Sequence, residues 1–204
     1  MIELRQDDDA VDALHELFAS ATHDASAAMC RWTNGLITVT LDELRLIALE
    51  EVGDELDIGD ELLTMVVLTL NGDVGGNLVL VFDELNARQL AASLLGREAG
   101  INPDWSELEK SALTETGNIL GCAYVNALTR LIGMDLIPSA PYFIQDYGAS
   151  VVQQAVMTQA LTSDRLLLCQ IGFRRKGQEL DWRVVFVPTQ GMQKAMQRSL
   201  HATL

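Results

Sequence analysis

The sequence predicts a mixed α/β (α+β) fold in two layers, with two long helices paired on one face of a mostly antiparallel sheet. Three observations predict it. Two stretches carry apolar residues three or four apart over many turns, the period of an amphipathic helix. Two pairs of apolar, β-branched segments stand close together in sequence, as hairpin arms do. The order long helix, strand, hairpin, helix occurs once in about residues 9–100 and again in about residues 104–204, the pattern of an internal repeat.

The first long helix reads from about Asp9 to Asn34, with Leu14, Leu17, Phe18, Ala21, Ala25, Ala28, Met29 and Trp32 on its apolar side. Asn34-Gly35 stops it, and the aspartates at 7 to 9 favour its positive N-terminus. "ELLTMVVLTL" and "GGNLVLVFDE" flank Asn71-Gly72, a hairpin signal because both residues tolerate positive φ. "DELNARQLAASLLG" reads as a short helix ended by Gly96, and "REAGINPDW" mixes Gly, Pro and charge as a surface connection does.

The second long helix reads from about Ser106 to Ile132, with Ser106 as its cap and Glu109 three residues on to complete a capping box. A strand near Leu136 to Ile144, a helical segment near Ala149 to Leu161, a hairpin with arms "DRLLLCQIGF" and "LDWRVVFVP", and a final amphipathic helix in "TQGMQKAMQRSLHATL" complete the chain. "LVLVFDELNARQLAASLLG" and "WRVVFVPTQGMQKAMQRSL" share a Val-Phe step and the helical spacing behind it. If the halves are copies, the two long helices are pseudo-equivalent and pack on a common sheet, which covers one apolar face of each.

Composition narrows the function. With 204 residues, 49% of them hydrophobic, the chain can bury one large core or two fused small ones. No apolar run approaches the roughly 20 residues of a membrane span. The start, "MIELRQDDDA", is acidic where a secretory signal is basic and then apolar, so a cytoplasmic location is expected. The 29 acidic against 14 basic residues, a formal charge of -15, argue against nucleic acid and anionic membranes and favour a protein partner that offers a lysine. Cys30, Cys122 and Cys169 are odd in number and far apart, so reduced, buried thiols are expected.

At 100° per residue, Leu113, Leu120, Tyr124, Ala127 and Leu131 share one arc of the second long helix, while Ser111, Glu115 and Asn118 lie nearly opposite and Cys122 and Thr129 continue their stripe. A solvated face is the ordinary explanation of such a trio. Two features weaken it. Thr116-Gly117-Asn118 in mid-helix costs on the order of 2 kcal/mol against Ala in sum. Gly117 also removes a side chain beside Asn118, as though another backbone were to come close.

"SELEKSALTETGNILGCAYVNAL" is very similar to the signature helix of the CheC / CheX / FliY phosphatases of bacterial and archaeal chemotaxis, and is closest to the CheC-like proteins. Their motif is Asp or Ser, three residues, Glu, two residues, Asn; here it falls on Ser111, Glu115 and Asn118 without a gap. The resemblance implies a single CheC-like domain made of two pseudo-repeats, and an enzyme: a hydrolase that removes the phosphoryl group from the aspartate of a CheY-like response regulator in two-component signalling. It implies that Asn118 orients the attacking water, that Glu115 pairs with the regulator's active-site lysine, and that Ser111 supports the helix or the interface. It also implies no cofactor of the chain's own, since the regulator supplies the Mg²⁺, and it allows a CheD-like deamidase as a second partner. Acyl phosphate hydrolysis needs an aligned water more than a strong base, and a carboxamide can accept from and donate to that water without repelling it.

The first long helix carries Asp12, Glu16 and Ala19 at the three motif positions. A methyl group cannot orient a water, so this face is expected to be catalytically dead. That departure keeps a second reading open: a non-catalytic adaptor that binds a regulator, or a flagellar-switch-like signalling protein. Other constellations are weaker. His15 and His23 are eight apart, not the spacing of a zinc helix. "GDVGG" sits in a hairpin, without the lysine of a phosphate loop. Cys122 has no His or basic cluster near it in sequence and reads as a packing residue, not a nucleophile.

Overall fold

The computed structural model describes residues 3–35, 37–55, 62–71, 74–98, 104–148, 150, 165–175 and 178–203. In chain order the elements are α1 (Glu3–Trp32), β1 (Ile37–Ala48), a 3-10 turn (Leu49–Glu51) leading into α2 (Val52–Glu55), the arms β2 (Leu62–Asn71) and β3 (Gly76–Asp83), and α3 (Glu84–Leu94). Then come α4 (Glu107–Ile132), β4 (Ile137–Pro138), β5 (Tyr142–Tyr147), the arms β6 (Arg165–Arg175) and β7 (Gln178–Pro188), and α5 (Gln190–Thr203). The helical segment expected near Ala149 to Leu161 lies, Ser150 apart, outside the described residues, as do the hairpin-tip residues Gly72 and Asp73.

The fold class is as expected: helices on a sheet whose strand pairings are all antiparallel. The strand order is β1-β6-β7-β3-β2-β4, with β5 also on β2. The hairpin arms β3 and β7 meet at the centre, from Gly76↔Pro188 to Val81↔Arg183. β1, from the first half, pairs with β6 of the second, and β5, from the second half, pairs with β2 of the first. Neither half therefore builds its own sheet; each lends its lone strand to the other's hairpin.

One face of this sheet carries the helices. Val66, Leu68 and Leu70 of β2, Leu78, Leu80 and Phe82 of β3, Val184 and Phe186 of β7, and Cys169 and Ile171 of β6 are buried there with Phe18, Ala21, Ala25 and Met29 of α1 and Leu113, Leu120, Tyr124 and Leu128 of α4. The alternate positions Leu63, Met65 and Val67, Val79 and Val81, and Val185 and Val187 form a second buried cluster on the other face, which is the period-two alternation of a strand.

Several boundaries differ from the sequence expectation. α1 begins at Glu3, six residues before Asp9, so Asp7 to Asp9 lie in its second turn, beyond where a charge gains most from the helix N-terminus. Trp32, expected on the apolar side, is 41% exposed because it is the last helical residue before the chain turns away. The stop itself is as expected: Asn34 and Gly35 adopt φ of 52° and 80°, and the Gly35 N–H donates to the Cys30 carbonyl at 2.8 Å. The single strand expected near Leu136 to Ile144 is two, β4 and β5. Pro138 and Pro141 cannot donate to a ladder, and in the gap the Ser139 hydroxyl accepts from Thr69 N–H at 3.0 Å while Ser139 N–H donates to the Thr69 carbonyl at 2.8 Å. No helix among the described residues is long and apolar enough to cross a membrane.

Candidate active site on the second long helix

The start of α4 is tightly fixed. Ser106 caps it: Glu109 N–H donates to the Ser106 hydroxyl, and the Glu109 carboxylate accepts from Ser106 N–H at 2.9 Å and from its hydroxyl at 2.7 Å, the reciprocal capping box that the sequence announces. Spacing alone does not show that this carboxylate is buried and also meets two arginines, Arg97 at 2.9 Å and Arg88 at 4.0 Å. Arg88 lies 4.0 Å over the Trp105 ring, pairs with Glu84 at 3.0 Å, and donates to the Asp104 carbonyl. Burial alone raises the Glu109 carboxyl. The Ser106 hydrogen bonds and the Arg97 and Arg88 guanidiniums outweigh it and hold Glu109 below the usual carboxylate value.

One turn on, the predicted face points outward. Ser111 and Glu115 are exposed and Asn118 is half-buried. Among the described residues neither Ser111 nor Glu115 has a hydrogen-bond or ion-pair partner; the nearby Lys110 pairs with Glu107 at 2.8 Å instead. Glu115 is thus a carboxylate whose lone pairs face water or a partner. The opposite side of α4 is core: Leu113, Leu120, Tyr124 and Ala127 are fully buried and Leu131 half-buried.

The glycine beside Asn118 has a different reason from the one its position suggested. A Cβ on Gly117 would overlap Val66 of β2, and one on Gly121 would overlap Leu68. These two glycines, one turn apart on the buried side, let α4 settle directly onto the sheet. Gly117 makes room for the sheet below the helix, not for a partner above it. The unfavourable Gly step therefore belongs to packing, and what distinguishes the outer face is the unpaired Glu115 and the Asn118 carboxamide.

Asn118 forms one wall of a shallow groove of about 370 Å³ between α1 and α4, which Ala123, Asn126 and Arg130 continue along α4 and Asp24 and Ala28 border from α1. The Cys122 thiol donates to the Asn118 Oδ1 at 3.5 Å. Cys122 is exposed, not buried as expected of the three cysteines; Cys30 is half-buried and Cys169 buried, and all three are free thiols. Partial burial, and after it the charge of Glu115, push the Cys122 thiol up, so it stays protonated: a donor to Asn118, not a nucleophile. Beneath the groove, the Tyr124 hydroxyl bonds Thr22 at 2.8 Å and its ring tilts against Phe18 at 5.1 Å, tying α1 to α4.

On α1, Asp12 and Glu16 are exposed and Ala19 half-buried, and none of the three lines the groove beside Asn118. His15 and His23 are exposed, and among the described residues no group of three or more His, Cys, Asp and Glu side chains is placed to hold a metal ion. Of the "GDVGG" stretch, Gly75 stands just before β3 and its N–H donates to the Thr189 hydroxyl at 3.1 Å.

No family model matches the chain. Among curated proteins it is 27% identical over 154 residues to the CheY-P phosphatase CheC of Bacillus subtilis, covering 72% of this chain and 71% of that protein. The match agrees with the resemblance to the CheC / CheX / FliY family that the α4 residues carry. Its fold agrees: Thermotoga maritima FliY superposes with a TM-score of 0.74 at 16% identity, over 96% of this chain and 97% of that one. The middle domain of FliM from H. pylori follows at 0.66 and 11% identity, over 93% and 97%. In this chain Ser111, Glu115 and Asn118 stand together on the outer side of α4, whereas the corresponding positions of α1 hold Asp12, Glu16 and Ala19.

Proposed function

We propose that this protein hydrolyses the aspartyl phosphate of a CheY-like response regulator in two-component or chemotaxis signalling, through Asn118 and Glu115 of α4. The observation that carries the reading is the outward pairing of an unpartnered Glu115 carboxylate with the Asn118 carboxamide one turn later, on a helix clamped at its start and seated on the sheet. The curated CheY-P phosphatase relative supports it.

Glu115 meets the regulator's lysine and sets the docking register. Asn118 then holds a water in line with the phosphorus through one donor and one acceptor. The water oxygen bonds to phosphorus, the P–O bond to the aspartate carboxylate breaks, and the water's proton leaves with the phosphate or to solvent. The Mg²⁺ of the reaction belongs to the regulator; this chain contributes position and no cofactor of its own. Ser111, exposed one turn before Glu115, borders the interface. A CheD-like deamidase is a further candidate partner, and the protein acts in the cytoplasm, where such regulators are. The two halves, each a long helix, strand, hairpin and helix, are duplicated copies in one domain.

The deciding experiment mixes purified, phosphorylated receiver domains from the same cell with this protein and follows inorganic phosphate. Decay faster than that of the regulator alone, abolished by Asn118→Ala, is the expected result; Glu115→Ala weakens complex formation. Acceleration that survives Asn118→Ala rejects the mechanism. Binding without acceleration assigns the protein instead to the adaptor class, the reading that Ala19 on α1 favours.

A further inference from the structure

We infer that the phosphorylated receiver domain lies across the groove between α1 and α4, so that α1 takes part in recognition, and that Arg130 engages a carboxylate on the receiver's rim. This rests on Asn118 being the residue that faces the phosphoryl group, and it adds the surface that holds the partner there.

Size is the first reason. Asn118 can position a water only within hydrogen-bond reach, about 3 Å, of it. A stable docking surface covers about 800 Å² on each partner, far more than one outward stripe of a helix provides. The receiver, a domain with a radius of gyration of about 13 Å, must therefore cover what adjoins Asn118. What adjoins it is the groove, since Asn118 is itself one of its walls and Asp24 and Ala28 of α1 form the other side. The small side chains Ala28 and Ala123, both half-buried, leave the depression a partner side chain would fill.

Charge is the second reason. The chain carries -15, yet Arg130 stands at the groove's far end. Its pairing with Asp24 is loose, 3.8 Å, and both side chains are 61% exposed. A guanidinium presents five N–H donors in a fork that matches a carboxylate, so most of the Arg130 donors face solvent. Twelve residues of helix place Arg130 about 18 Å along α4 from Asn118, within the width of one receiver domain and well beyond its phosphorylation site. The carboxylate it meets is thus a rim residue, one that chooses between regulators without touching the chemistry.

The experiment uses the full protein with receiver domains phosphorylated by acetyl phosphate in Mg²⁺. Arg130→Glu is expected to raise KM about tenfold with kcat changed less than twofold, and added salt should narrow the difference, as for a rim charge. Ala28→Gln, which fills the depression without adding charge, should raise KM with no salt dependence. Both are repeated as binding measurements in the Asn118→Ala background, where hydrolysis is removed. Weaker binding there upholds the docking surface even if wild-type protein shows no hydrolysis, which rejects only the catalytic reading. Unchanged KM and unchanged binding in both variants, with thermal midpoints like the parent's, overturn the inference. So does failure of the parent protein to bind any phosphorylated receiver.

Discussion

α1 and α4 occupy like places in the two halves, lie side by side on one face of the same sheet, and are built differently. α1 reaches the core with bulk: Phe18 and Met29 are fully buried along it. α4 reaches it partly by omission, with Gly117 and Gly121 against Val66 and Leu68. The N-terminus of α4 is held by Ser106, Glu109, Arg97 and Arg88. The outer faces differ in step with this. α4 shows Glu115 and Asn118; α1 shows Asp12, Glu16 and Ala19. In the proposed mechanism a side chain that places a water within a fraction of an ångström gains from a backbone that cannot shift, and α4 is seated on the sheet through Gly117 and Gly121 and clamped at its start.

Substitutions at five positions test that comparison. The largest effect is expected from Asn118→Ala, a loss of about 100-fold or more in regulator dephosphorylation, the scale of one lost transition-state contact. Adding Ala19→Asn to it transfers the missing group to α1. Phosphate release that returns would show that the α1 face lacks only its carboxamide; none returning would show that clamping and seating matter as well.

Gly117→Val tests the seating. Forcing a β-branched side chain into Val66 should cost about 3 kcal/mol, seen as a fall of roughly 6–12 °C in the thermal midpoint; an unchanged midpoint would mean that the helix does not lie so close to β2. Glu109→Gln tests the clamp and should cost about 1–2 kcal/mol at neutral pH, through weakened bonds to Ser106 and the arginines. The sign of its pH dependence follows from a carboxyl held lower in the folded state than in the unfolded chain. The stabilisation is present above the unfolded value of about 4.3 and is lost as pH falls through the folded one. Acid titration of stability should therefore be steeper for the parent than for Glu109→Gln, and equal slopes would remove Glu109 from the clamp. The smallest effect is expected from Cys122→Ser, which keeps a donor to Asn118: activity within twofold, with Cys122→Ala lower in kcat if the thiol orients the carboxamide.

Much of α4 is legible in the sequence. Ser106 and Glu109 are three apart, and Ser111, Glu115 and Asn118 fall on one face by helical period alone; both are relations within a few residues, which the backbone geometry of a helix enforces wherever it forms. The hairpins are legible for the same reason. Gly117 was legible as an anomaly but not in its meaning, because Val66 lies fifty-one residues earlier in the chain. The exposure of Cys122 and Trp32 is not legible, since helical period says which residues share a face but not where a neighbouring element ends.

By itself the sequence determined the elements, their order, the caps and the polar face of the second long helix, all products of local periodicity and hydrogen bonding. Only the tertiary structure decided that each half lends its lone strand to the other's hairpin, that Arg88, Arg97 and Trp105 gather around Glu109, and that Asp24 and Ala28 of one helix face Asn118 and Arg130 of the other. These are meetings of residues far apart in the chain. They depend on how apolar faces and charges find a common low-energy packing, and no short-range pattern encodes which distant partner wins.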